Sequence, residues 1–199
     1  MTKYSEKVRE RVTETIREDI CRTALDVIRE QGWEAFTTDN IAKRLEMSRT
    51  LLYRYFRSKE DILLNVLTMI LSENNQKVSV IASEKGSASE RILKISETLV
   101  DESIKNMWFH RMLIEHTKPP KLLDKHPFSI ARNKQFEIYE KLIQEGIRSG
   151  EFRADLDVLS AVRLFFGGLH ELCFINGQLQ ERISPAPVIK IFLQGILAK

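Results

Sequence analysis

The sequence predicts an all-α protein of about nine helices, a three-helix head at the N-terminus followed by a larger helical bundle. Three observations carry this. Glycine and proline are scarce, 8 and 5 of 199 residues, which disfavours turn-rich β architectures. Apolar residues recur at helical spacing along almost the whole chain. No stretch keeps the alternation of a half-buried strand. With 43% hydrophobic and 30% charged residues, the chain has the composition of a globular protein long enough to bury a proper core.

The first helix places Val8, Val12, Ile16, Ile20, Ala24, Val27 and Ile28 on one stripe. It is expected to begin between Ser5 and Thr15, because the early stripe is thin, and to stop at Gln31-Gly32, where glycine suits a helix end. The charged residues before it read either as a solvated extension of this helix or as an arm that reaches a groove. Trp33 and Phe36 read as core plugs. Thr37 offers an N-cap for a short helix over Thr38 to Leu45, with Ile41, Ala42 and Leu45 inward. After the turn "EMS", Ser48 caps a helix from Arg49 to about Phe56 that is anchored by Leu51, Leu52 and Phe56. Ser58 caps again, with Glu60 and Asp61 in the first turn, where the helix dipole favours acids. This fourth helix buries Ile62, Leu63, Val66, Leu67, Ile70 and Leu71 and runs to about Ile81.

Past "SEKGSAS" the pattern restarts. Ser87 to Ser103 carries Ile92, Ile95, Leu99 and Val100 on one face, and Met107 to His116 supplies Trp108, Phe109, Met112 and Leu113. Three prolines break the chain in "TKPPKLLDKHP". A helix over Phe128 to Ser149 follows and ends at Gly150; Asp155 or Asp157 opens a strongly apolar helix to about Asn176-Gly177. Beyond "SPAP", Val188 to Leu197 forms the last one.

Charge and chemistry narrow the function. Between Thr37 and Lys59 six basic residues face two acids, a local charge of +4 in a chain whose total is +3, which is the footprint of a polyanion binder. The N-terminus is charged throughout and no apolar run approaches the roughly 18 residues of a membrane span, so a cytoplasmic protein without membrane contact is expected. Cys21 and Cys173 read as reduced small hydrophobes. His110, His116, His126 and His170 lack ligand spacing, so neither a metal nor a cofactor is expected. No Ser/His/Asp set, paired carboxylates or phosphate-cradling glycine loop can be placed, which argues against an enzyme.

"TTDNIAKRL", "EMS" and "RTLLYRYF" spell a helix-turn-helix over residues 37–56. In that motif the second helix enters the major groove and the first crosses the backbone. Arg49, Thr50, Tyr53 and Arg54 fall opposite Leu52 and Phe56, where hydroxyls and guanidinium groups suit phosphates and base edges. One such unit reads too few base pairs, so two copies are expected to bind duplex operator DNA together. The rival reading is a protein-interaction adaptor that keeps the head shape without binding DNA, and Asp39 and Glu46 are the residues that favour it.

Thr37 to Asp61, "TTDNIAKRLEMSRTLLYRYFRSKED", resembles the DNA-binding signature of the tetracycline-repressor (TetR) family of transcriptional regulators. The matching landmarks are the paired threonines, Ile41-Ala42, Met47-Ser48, Leu52-Tyr53 and "YFRSKE". The likeness is dense from about Glu14 to Glu73; beyond it only the layout is similar. The resemblance implies a DNA-binding domain over 1–60 and an effector-binding and dimerisation domain over 61–199. It implies that Thr38, Tyr53 and Lys59 hold phosphates, that Ser48, Arg49, Thr50 and Arg54 face base edges or flanking phosphates, and that Tyr55 lies over the backbone. Two positions depart from the pattern. Glu46 stands where glycine is usual, so it either turns left-handed or reshapes the turn. Leu51 stands where threonine is common.

The resemblance further implies a homodimer formed through the last two helices, with Val162, Phe165, Leu169, Leu172, Val188, Phe192 and Ile196 as interface residues; the same residues could instead fill the subunit core. The Gly167-Gly168 pair in mid-helix suggests close approach by another helix, or a bend. A cavity for a small apolar or aromatic effector is implied in the second domain, with Trp108, Phe109, Met112, Phe136, Tyr139, Phe165 and Phe166 as candidates for its wall, although aromatics at helical spacing more often serve as plain core. The expected protein is therefore a ligand-responsive repressor.

Overall fold

The computed structural model describes residues 3–106, 127–176 and 185–197, with the backbone alone at 104, 105, 170, 172–176 and 185. Among the described residues there are eight α-helices: α1 Lys3–Gln31, α2 Thr38–Arg44, α3 Arg49–Tyr55, α4 Lys59–Ala82, α5 Ala88–Lys105, α6 Pro127–Arg148, α7 Val158–Asn176 and α8 Pro185–Ile196. A 3-10 turn spans Trp33–Ala35. The expected helix over Met107 to His116 lies outside the described residues. No described helix is long and apolar enough to cross a membrane.

Most boundaries follow from local chemistry. Thr37 accepts a hydrogen bond from the Asn40 amide, and Ser48 accepts one from the Leu51 amide. Ser58 accepts from the Asp61 amide at 3.2 Å while Asp61 Oδ2 accepts from the Arg57 amide at 2.9 Å, so each tethers a free donor near the start of α4. Ser87 and Glu90 form a full capping box on α5. Asp157, not Asp155, opens α7, its Oδ1 accepting from the Ser160 amide at 2.8 Å. Both α6 and α8 begin on a proline, a residue whose missing N–H costs nothing in a first turn. The first helix starts earlier than the apolar stripe suggests. Its residues up to Thr15 are exposed, including Tyr4, Val8 and Val12, so this end projects from the packed part as a solvated extension.

The chain forms two compact units, Met1–Ile70 and Leu71–Lys199. The first reaches ten residues beyond the expected boundary at 60, because Ile62, Leu63, Val66 and Leu67 of α4 are buried. Its core joins these to Ile20, Ala24, Val27, Ile28, Phe36, Ile41, Leu52 and Phe56. The second has its own core, including Val78, Ile92, Ile95, Tyr139, Leu142, Ile143, Phe152, Val162, Phe165 and Ile189. There α6 lies so close to Phe152 that a Cβ on Gly146 would sit 2.2 Å from the ring.

Candidate nucleic-acid interface

The turn between α2 and α3 sets the geometry of the head. The Met47 amide donates to the Ala42 carbonyl at 2.9 Å, and the Glu46 amide donates to the Lys43 carbonyl at 3.2 Å. These two bonds are the paired closure of a Schellman motif, which requires a left-handed residue just past the helix end. That residue is Glu46, with φ 52°. Of the two outcomes expected for a non-glycine there, the chain takes the strained one and keeps the turn.

Leu52 and Phe56, both essentially inaccessible, pin α3 to the core, while Leu51 is half-buried. The opposite side is open: Ser48, Arg49, Thr50, Tyr53 and Arg54 are all exposed. These side chains are not independent. Arg49 Nε lies 3.1 Å from Asp39 Oδ1. Hydrogen bonds from Thr38 and then Arg49 lower the Tyr53 phenol below its ordinary pKa. Thr38 itself is nearly covered. Its hydroxyl, expected to meet a phosphate, interacts with Tyr53. Ser48 is likewise partly committed, since its oxygen caps α3.

Lys59 and Tyr55 are half-buried. The Lys59 ammonium rests 5.0 Å from the Trp33 ring centre and 5.1 Å from that of Phe36, a cation–π seat. Arg17 was not singled out in the sequence. Its guanidinium lies 4.2 Å over the Phe56 ring, donates to the Tyr55 carbonyl, and reaches Asn65 Oδ1 at 3.2 Å. It ties α1 to the end of α3 and to α4. Arg44 is engaged too: its two Nη atoms meet the Glu30 carboxylate at 2.6 and 2.8 Å, leaving it occupied on the flank of α2. Contacts of this kind join residues 14 to 48 positions apart, where no local spacing rule operates.

In the second unit Phe136, Tyr139, Phe165 and Phe166 form one aromatic cluster, with centroids 4.5 to 5.7 Å apart. Tyr139 is fully buried and pushed up by desolvation, its hydroxyl 3.3 Å from Ser96 Oγ. Trp108, Phe109 and Met112 lie outside the described residues. Near the cluster's helix, Asn75 donates to the Ala131 carbonyl at 2.6 Å. Its Oδ1 is buried and finds no hydrogen-bond partner among the described residues.

Much of the expected dimer set is covered within the single chain. Val162, Phe165, Leu169 and Ile196 are buried within the single chain, and Val188 and Phe192 are half-buried; the Leu172 side chain lies outside the described part. The most apolar stripe went to the subunit core. Among the described apolar residues of α7 and α8, Leu159, 48% accessible, Leu164, 72% accessible, and Ile191, 71% accessible, are exposed, and so are Gly167, Gly168 and Gly195. Among the described residues a Cβ on Gly167 would meet nothing within 4 Å, and one on Gly168 would meet only Val188, at 3.9 Å.

Comparison with known proteins places this geometry. Residues 20–66 match the model for bacterial regulatory proteins of the tetR family. The fatty acid metabolism regulator protein of Bacillus subtilis is 27% identical over 183 residues, 89% of this chain and 93% of that protein. Among solved structures, the transcriptional regulator FadR from Bacillus subtilis in complex with stearoyl-CoA superposes with a TM-score of 0.72 at 21% identity, covering 89% of this chain and 95% of the other. A TetR/AcrR-family regulator from Thermobifida fusca gives 0.66 at 25% identity, covering 90% and 95%.

Proposed function

We propose that this chain, whose residues 20–66 match the model for bacterial regulatory proteins of the tetR family, is a DNA-binding transcriptional regulator, a homodimeric repressor that leaves its operator when a small apolar effector binds the second unit. The observation that carries the reading is the outer side of α3, where Arg49, Thr50, Tyr53 and Arg54 stand exposed on a helix pinned by Leu52 and Phe56. Guanidinium groups there suit guanine edges or phosphates, and the hydroxyls suit phosphates. Ser48, Tyr55 and Lys59 flank this side as further phosphate or base contacts. The adaptor reading loses its two supports: Glu46 is absorbed by the turn, and Asp39 is paired with Arg49.

Two copies are needed because successive major grooves lie about 34–36 Å apart and one head spans a single half-site. Leu164, Gly167, Gly168, Ile191 and Gly195 support self-association, being apolar or small and exposed, and among the described residues a Cβ on Gly167 or Gly195 would meet nothing within 4 Å. For the effector, support comes from the cluster of Phe136, Tyr139, Phe165 and Phe166 and from the relative bound to stearoyl-CoA, whose acyl chain is long and apolar. The unpaired Asn75 Oδ1 suits an effector that carries a hydrogen-bond donor. Release follows if the effector binds more tightly to a state with another head spacing, since only differential affinity moves such an equilibrium.

The test is to recover duplexes from a randomised pool with the purified protein, then to titrate saturated acyl-CoA thioesters of graded length. Enrichment of two-fold symmetric sites with half-site centres about 10 base pairs apart, released by one chain-length range, supports the proposal. A pool that stays unenriched contradicts it.

A further inference from the structure

The exposed side of α3 includes a carboxylate that phosphate affinity does not explain. Asp39, in the first turn of α2, holds Arg49 Nε at 3.1 Å, and both side chains are more than half accessible. Arg49 also bonds the Tyr53 phenol, which Thr38 supports from below. Asp39 of α2 and Tyr53 of α3 thus both engage the one guanidinium of Arg49.

We infer that Asp39 is a positioning residue for base recognition: by fixing Arg49 across the helix-turn-helix, it turns general phosphate affinity into sequence preference. The inference rests on the DNA-binding reading and adds to it which residue sets specificity. Three physical points support it. An ion pair this exposed contributes little to folding, so its main consequence is where the arginine points. Arginine has five N–H donors in a rigid fork. With Nε facing a carboxylate, donors of the terminal nitrogens stay available for the O6/N7 edge of guanine. Finally, a negative charge beside the reading residues repels phosphates. It weakens binding to arbitrary duplex more than binding to a site whose base contacts compensate.

The experiment compares two duplexes in a fluorescence titration: one recovered from the randomised pool by the wild-type protein, and one of the same composition with its sequence scrambled. Asp39→Asn is expected to tighten binding to the scrambled duplex and to lower the recovered-to-scrambled affinity ratio about tenfold, the scale of one bidentate base contact. Its salt slope on the scrambled duplex should steepen by about one, as the freed Arg49 takes a phosphate. Asp39→Glu, which keeps the charge within reach, should preserve the ratio. In an Arg49→Ala background Asp39→Asn should lower the ratio by much less than tenfold, because only the charge repulsion is then lost and the arginine it positions is already gone. An unchanged ratio in Asp39→Asn, with only thermal stability lowered, would overturn the inference and leave Asp39 as a helix-dipole partner. So would an equal fall of the ratio in the Arg49→Ala background. A wild-type protein that enriches no duplex at all would overturn the DNA-binding reading itself, a result separate from these.

Discussion

At Glu46 the backbone turns left-handed, φ 52°, at a residue that carries a Cβ. Glycine adopts that conformation without the clash, so Glu46→Gly is expected to raise stability by about 1 kcal/mol in urea denaturation, with DNA affinity unchanged. A stability loss would mean that the Glu46 side chain makes a compensating contact. Arg44 teaches the opposite lesson about counting charges. It belongs to the +4 segment, yet both of its Nη atoms are occupied by Glu30, which is itself held below the usual carboxylate pKa by that bond. Arg44→Ala should therefore leave the salt slope of DNA binding where it is. Arg54→Ala, which removes an exposed arginine of α3, should reduce it by about one. A matching fall in both variants would show that Arg44 leaves Glu30 to bind phosphate.

Helices in this protein are begun by their own residues but joined by distant ones. α5 shows both. Its capping box, Ser87 with Glu90, is readable from three-residue spacing. Glu151 is not: it lies more than 60 positions away, yet its carboxylate accepts from the Ala88 amide at 2.8 Å, the Ser89 amide at 3.0 Å and the Ser89 hydroxyl. Burial pushes the Glu151 carboxyl up, but these bonds outweigh it and leave its pKa lowered. A lowered folded-state value means that the stabilisation is present above the ordinary carboxylate pKa of about 4.3 and fades as pH falls through the folded value. Glu151→Gln should cost about 1–2 kcal/mol at pH 7, and urea curves of the two proteins should converge under acid. A gap that persists at low pH would contradict this. Gly146→Ala should cost about 2–3 kcal/mol, since the added carbon meets the Phe152 ring. Element positions, caps and the inward stripes of α2 to α4 were legible because spacing and end chemistry are local, whereas the α1 stripe is buried only from Ile20 onward and leaves Val8 and Val12 exposed. On α7 the same apolar stripe serves a core or an interface. The sequence could not separate the two, whereas burial assigns Val162, Phe165 and Leu169 to the core.

The whole molecule consists of two compact units, one with the outer side of α3 exposed and one with exposed apolar positions on its last helices. Leu164→Glu and Ile191→Glu should each shift the protein toward monomer in light scattering, while the helical content stays intact. A dimer that survives both would place the contact elsewhere. The proposed function depends on the outer side of α3 touching duplex DNA. Its most direct test is the affinity of Tyr53→Phe beside wild type, on the recovered duplex and on its scrambled counterpart. Loss of a hydroxyl–phosphate bond should weaken both by about tenfold alike, with thermal stability unchanged. Wild-type affinity in that variant on both duplexes would contradict the account.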